Sequence, residues 1–167
     1  ARCRGCLSHQ KGSGIPHSQN RIDFTPTSKE ITAVALAHLS QVKRGVVSFG
    51  QGCEGEPLLA VDVIAPAIRS IRAATDRGTI NVNTNGSRPA ALQLLMDAGL
   101  DSVRISLNSV REDCYNAYFR PGGYRFSDVV AGIDLALRRG VHVALNYLNL
   151  PGFTDTPEEF AAFTHFL

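Results

Sequence analysis

The sequence predicts an α/β fold built on a parallel sheet. Four short runs rich in Val, Ile, Phe or Tyr stand out: Gly45–Gly50, Thr79–Thr84, Ser102–Leu107 and Val141–Leu148, each bounded by turn residues. Helical periodicity fills the stretches between them. The runs start near residues 46, 80, 103 and 141, and so lie 34, 23 and 38 residues apart. That spacing suits repeated strand–helix units with right-handed crossovers. An open Rossmann-type sheet and a (β/α) barrel both fit it. In either fold, functional residues gather at the carboxyl ends of the strands.

The elements follow in order. Pro26–Leu39 reads as a helix, with Thr25, Thr27 or Ser28 as its cap. After the first strand, Leu58–Arg77 places Val61, Ile64, Ala65, Ile68 and Ile71 three and four apart, on one helical face. Pro89–Ala98 does the same with Leu92, Leu95 and Met96, and Gly99 can cap its end. The stretch REDCYNAYF has helical character. Phe126–Arg139 repeats the pattern with Val129, Val130, Ile133 and Leu137, and Gly140 ends it. Pro157–Leu167 reads as a last helix.

Composition narrows the function classes. The 167 residues suffice for one domain with a real core. A net charge of +2 with scattered basic residues gives no support to a nucleic-acid surface. No stretch of about eighteen apolar residues is present, so no membrane span is expected. The 4 cysteines, Cys3, Cys6, Cys53 and Cys114, are too few and too unevenly spaced for a disulfide scaffold. A reducing cytoplasm is the expected compartment. Ala1 is an unusual start, and the chain reads as part of a longer protein, incomplete at both ends.

Each strand ends in hydrogen-bonding groups, mostly neutral. QGCEGEPLL follows the first strand, NGS the second, Asn108 and Ser109 the third, and NLPGFTD the fourth. Such a lining suits a polar, zwitterionic small molecule. No Walker or G-x-G-x-x-G loop is present.

These residues resemble the radical S-adenosylmethionine (radical SAM) superfamily. Cys3 and Cys6 have the spacing of the last two cysteines of its C-x3-C-x2-C loop. The first would stand four residues before Cys3. Glu54-Gly55-Glu56-Pro57 is similar to the GGEP motif, and Asn83-Thr84-Asn85-Gly86 to the TTNG turn. Ser106-Leu107-Asn108-Ser109 is similar to the SLDS segment, and Leu150-Pro151-Gly152 falls where the fifth strand passes the adenine. Three positions depart from the pattern: Gly5 where an aromatic is common, Glu54 for the first Gly, and Asn108 for Asp.

The resemblance implies a partial parallel (β/α) barrel of radical SAM type, with residues 1–167 as a single core domain. It implies a [4Fe-4S] cluster on Cys3 and Cys6 and S-adenosylmethionine as cofactor. The reaction is reductive cleavage to a 5′-deoxyadenosyl radical that takes hydrogen from a substrate. Glu54, Gly55, Glu56 and Pro57 then meet the amino group, with Glu56 accepting from the ammonium. Thr84 and Ser106 donate to the carboxylate, with Asn85 in the same turn. Asn108 binds ribose hydroxyls, and Arg120 pairs with the carboxylate. The partner implied is a flavodoxin- or ferredoxin-like electron donor.

The alternative is a nucleotide- or metabolite-binding α/β module whose CxxC is incidental or binds zinc. Cys53 reads as a small buried filler and Cys114 as part of a helix. His9 and His17 flank a surface loop, and His38, His142 and His165 read as structural. Tyr115, Tyr118, Phe119, Tyr124 and Phe126 surround Pro121-Gly122-Gly123, as a packed helix–loop–helix corner or as a substrate wall.

Overall fold

A computed structural model describes residues 3, 4, 6, 12, 14, 16–18, 20–51 and 54–167. Gly5, His9 and Cys53 lie outside the described residues. The elements are α1 (Ser28–Gln41), β1 (Val46–Phe49), α2 (Val61–Ala74), β2 (Thr79–Thr84), α3 (Pro89–Ala98), β3 (Ser102–Leu107), α4 (Glu112–Phe119), α5 (Phe126–Arg138), β4 (His142–Tyr147) and α6 (Pro157–Phe166). Thr27 caps α1: its hydroxyl accepts the Glu30 N–H at 3.2 Å, and the Glu30 carboxylate accepts the Thr27 N–H at 2.8 Å. The Thr27 N–H, joined by the Thr27 hydroxyl donating to the same carboxylate at 2.8 Å, holds the Glu30 carboxyl below its ordinary value.

The predicted helix Leu58–Arg77 is instead two pieces. Glu56 accepts the Leu58 N–H at 3.1 Å and starts a single 3-10 turn, Pro57–Leu59. Ala60, at φ −116° and ψ 28°, breaks the path before α2 begins. Pro89 opens α3 and Gly99, at φ 110°, closes it.

The four strands are all parallel, in the order β1-β2-β3-β4. A doubly wound sheet would reverse its order at a switch point. An unreversed order with right-handed crossovers puts every helix on the same side. The sheet is therefore a partial parallel (β/α) barrel.

One face carries Phe49, Ile80, Val82, Val103, Ile105 and Leu107, packed with Ile68, Ile71, Leu92, Leu95 and Val129 of the helices into a single buried cluster. The other face, the barrel interior, is polar: Ser48, Asn81, Asn83, Ser102, Arg104, Ser106 and Asn146. There the Asn81 amide donates to Ser48 Oγ at 2.8 Å and to Asn83 Oδ1 at 3.1 Å, while Ser102 Oγ donates to Asn81 Oδ1 at 2.8 Å. At the amino ends, the Arg72 guanidinium pairs with Asp101 and donates to the Gly99 carbonyl at 3.2 Å. Among the described residues no helix is long and apolar enough to cross a membrane.

Candidate active site

The carboxyl ends of β1 and β2 are joined by one carboxylate. Glu56 Oε1 accepts the Leu58 N–H and the Thr84 hydroxyl, and Oε2 accepts the Asn85 N–H at 2.9 Å. Asn85 Oδ1 in turn accepts the Ser87 N–H at 2.9 Å, which fixes the NGS turn. Glu54 folds back on β1, its carboxylate accepting the Gly50 N–H at 2.8 Å. Gly55 sits at φ 86°, and a Cβ there would stand 2.8 Å from Arg21 Nη1. The GEP turn thus needs glycine for its backbone and for its neighbour.

Cys3 and Cys6 are both partly buried and in no disulfide. Arg4 docks their segment on α4. Its backbone N–H donates to the Tyr118 carbonyl at 3.1 Å, and its Nε donates to the Ala117 carbonyl at 3.1 Å. A cation on the last carbonyls of a helix suits the helix dipole. Burial pushes the Cys3 thiol up, the neighbouring Cys6 adds to the shift, and Arg21 works against it. The Tyr115 and Tyr124 hydroxyls lie 3.2 Å apart. Burial raises both phenols above their ordinary value, and the charges of Cys3 and Glu56 add to it.

The predicted site residues divide. Ser106 is on the polar face in register with Asn146, and its hydroxyl has no hydrogen bond among the described residues. Thr84 is buried, and its proton goes to Glu56. It holds the turn and cannot donate to a ligand at the same time. Asn108 is fully buried beneath α4, its amide donating to the Cys114 carbonyl at 3.1 Å. The chain leaves the strand at Leu107, and strand alternation no longer sets where the next side chain points. Asn108 Oδ1 has no donor among the described residues. Arg120 caps α4 in the left-handed region, at φ 49°, and is exposed.

The sequence reading did not single out Arg4 or Arg21. It also treated His142 as structural, whereas His142 is exposed on the polar face. The aromatic corner is real. Tyr115 stacks on Phe119 at 4.6 Å between ring centroids and tilts against Phe126 at 4.8 Å. A cavity of about 480 Å³ runs along the outer edge of β1, lined by Ile22, Phe24, Val34 and Val46 and reaching Glu54 and Glu56.

Residues 1–166 match the family profile of the radical SAM superfamily. The chain belongs to the radical SAM superfamily. Among curated relatives it is 30% identical over 159 residues to the GTP 3′,8-cyclase of Corynebacterium glutamicum, covering 92% of this chain and 40% of that protein. It is 36% identical over 157 residues to the GTP 3′,8-cyclase of Moorella thermoacetica, covering 92% and 45%. It is 29% identical to molybdenum cofactor biosynthesis protein 1 of Drosophila melanogaster, covering 99% and 27%. The chain thus spans less than half the length of these relatives. Among solved structures, HydG, a maturase of the [FeFe]-hydrogenase, superposes with a TM-score of 0.64 at 19% identity, over 98% of this chain and 35% of that one. BtrN, in complex with AdoMet and 2-DOIA, gives 0.51 at 18% identity, over 76% and 46%. These likenesses confirm the radical SAM barrel as the fold.

Proposed function

We propose that residues 1–167 are the core domain of a radical SAM enzyme acting in the cytoplasm. Cys3 and Cys6 hold two irons of a [4Fe-4S] cluster. Two soft thiols three positions apart and in no disulfide, on a segment that Arg4 ties to α4, are a donor set that suits iron–sulfur ligation. Among the described residues there is no group of three metal ligands, so these two are a partial set. When bound, the cluster supplies the electron that cleaves S-adenosylmethionine to the radical that takes hydrogen from substrate.

The chain's own residues bind and orient. Glu56 Oε2 accepts one bond within the protein and keeps a lone pair for the ammonium of the ligand. Glu54, Gly55 and Pro57 shape that turn, and Thr84 and Asn85 hold Glu56 in place. Ser106 donates its hydroxyl to the ligand carboxylate. A flavodoxin- or ferredoxin-like protein delivers the electron. The named relatives make GTP the first substrate to assay, as a cyclisation.

The observation that carries the reading is the Glu56 carboxylate joining the turns after β1 and β2, within a chain that matches the family along its length. The test is anaerobic reconstitution of the full-length protein with iron and sulfide. A brown protein that releases 5′-deoxyadenosine under reduction, and loses both properties in Cys3→Ala and Cys6→Ala, is expected. A colourless protein that binds zinc through these cysteines would favour the α/β binding module instead.

A further inference from the structure

The interior face of the sheet carries a charge that the proposed cofactor chemistry does not use. Arg104 lies on β3 between Ser102 and Ser106, paired in register with Asn83 on one side and Ala144 on the other. Strand alternation puts it on the polar face with them. It is exposed to the barrel interior, and its guanidinium has no hydrogen bond or ion pair among the described residues. On that face Ser48, Asn81, Asn83, Ser102, Ser106 and Asn146 are neutral, His142 lies in register with Ser102, and none of these residues is acidic. Ser48, Asn81, Asn83 and Ser102 are already bonded to one another. They therefore have little capacity to neutralise a guanidinium. Ala144 has the smallest side chain on that face and leaves room beside Arg104.

We infer that Arg104 is a specificity-determining residue that receives an oxyanion of the substrate, a phosphate or a carboxylate. An exposed guanidinium without a side-chain partner on the interior face offers its N–H donors to an incoming anion, and its planar fork matches both oxyanions bidentately. Arg104 is two residues before Ser106, and so about 7 Å further from the carboxyl end. That separation places the substrate's anion beneath the cofactor, on the substrate side of Ser106. The location rests on the radical SAM reading, and the anion chemistry rests on Arg104 itself.

The test is isothermal titration of the reconstituted full-length protein, with S-adenosylmethionine present, using pyrophosphate and then succinate. One of the two is expected to bind, which distinguishes a phosphate from a carboxylate substrate. Arg104→Gln should weaken that binding at least about tenfold, and Arg104→Lys should retain part of it. Cluster absorbance, S-adenosylmethionine affinity and thermal midpoint should stay at the wild-type values in both variants. The inference is overturned if neither anion binds the wild type, or if Arg104→Gln binds them equally well. It is also overturned if Arg104→Gln loses S-adenosylmethionine affinity while keeping the anion, since Arg104 would then serve the cofactor carboxylate. A colourless protein that still binds the anion through Arg104 would sink the radical reading and leave the oxyanion site standing.

Discussion

The Thr84 hydroxyl donates to the Glu56 carboxylate across 28 positions of sequence. This bond ties the turn after β1 to the turn after β2, and Asn85 reinforces it. Glu56→Gln puts an amide where the carboxylate accepts three bonds, so a donor faces a donor. It should cost about 2–3 kcal/mol, against about 1 kcal/mol for Thr84→Val. Thr84→Ser should restore stability. Urea unfolding measures all three, and equal losses for Gln and Val would mean that Thr84 is Glu56's main partner.

Arg120 caps α4 at φ 49°, where a side chain is strained. Arg120→Gly should raise stability by about 1 kcal/mol. S-adenosylmethionine affinity should not move. A lower thermal midpoint, or a lost affinity, would return Arg120 to a role in binding.

Glu159, in the first turn of α6, is sealed at 1% exposure. It accepts from Ser109 Oγ at 2.7 Å, from the Val110 N–H at 3.1 Å and from the Tyr147 hydroxyl. Glu159→Ala leaves three donors without an acceptor and should cost about 3 kcal/mol. The α6 segment should then be the first cut in limited proteolysis. Unchanged protection there would show that α6 is held by its aromatic contacts alone.

Alkaline pH should unfold the protein through its phenols. Burial raises Tyr115, and its bond to Tyr124 adds to the shift. Burial likewise raises Tyr124. Tyr147 is raised by burial and then by Glu159. The folded state keeps these protons above the ordinary value of 10.0. Their stabilising effect is therefore complete below that value and is lost as pH rises past it. Phenolate absorbance and loss of helical ellipticity should coincide. Three phenols titrating near the ordinary value in folded protein would contradict the burial.

Much of the fold was legible. Apolar alternation bounded by turn residues located β2 and β3 to the residue, and Pro89 with Gly99 bracketed α3. The reading of Leu58–Arg77 as one helix failed because Ala60 is a good helix former, and the break depends on the Glu56 carboxylate. The choice between open sheet and barrel was not in the spacing, because both share strand–helix units; only strand order separates them. In the site, motifs located the turns but not the directions of side chains. The Asn108 amide bonds the Cys114 carbonyl of α4, a partner the motif does not announce, and Arg4 and Arg21 act through contacts that no local pattern announces.

Gly132 lies inside α5, where alanine would ordinarily be the better helix residue. A Cβ there would stand 2.6 Å from the Gly86 carbonyl oxygen. Gly86 belongs to the turn whose first amide, at Asn85, grips Glu56. A single added methyl on the outer helix layer would therefore push the ligand-side turn from behind. Drift at position 132 is thus closed off by geometry rather than by chemistry. A mutational tolerance map should show this outer-layer site as restricted as the turn it leans on.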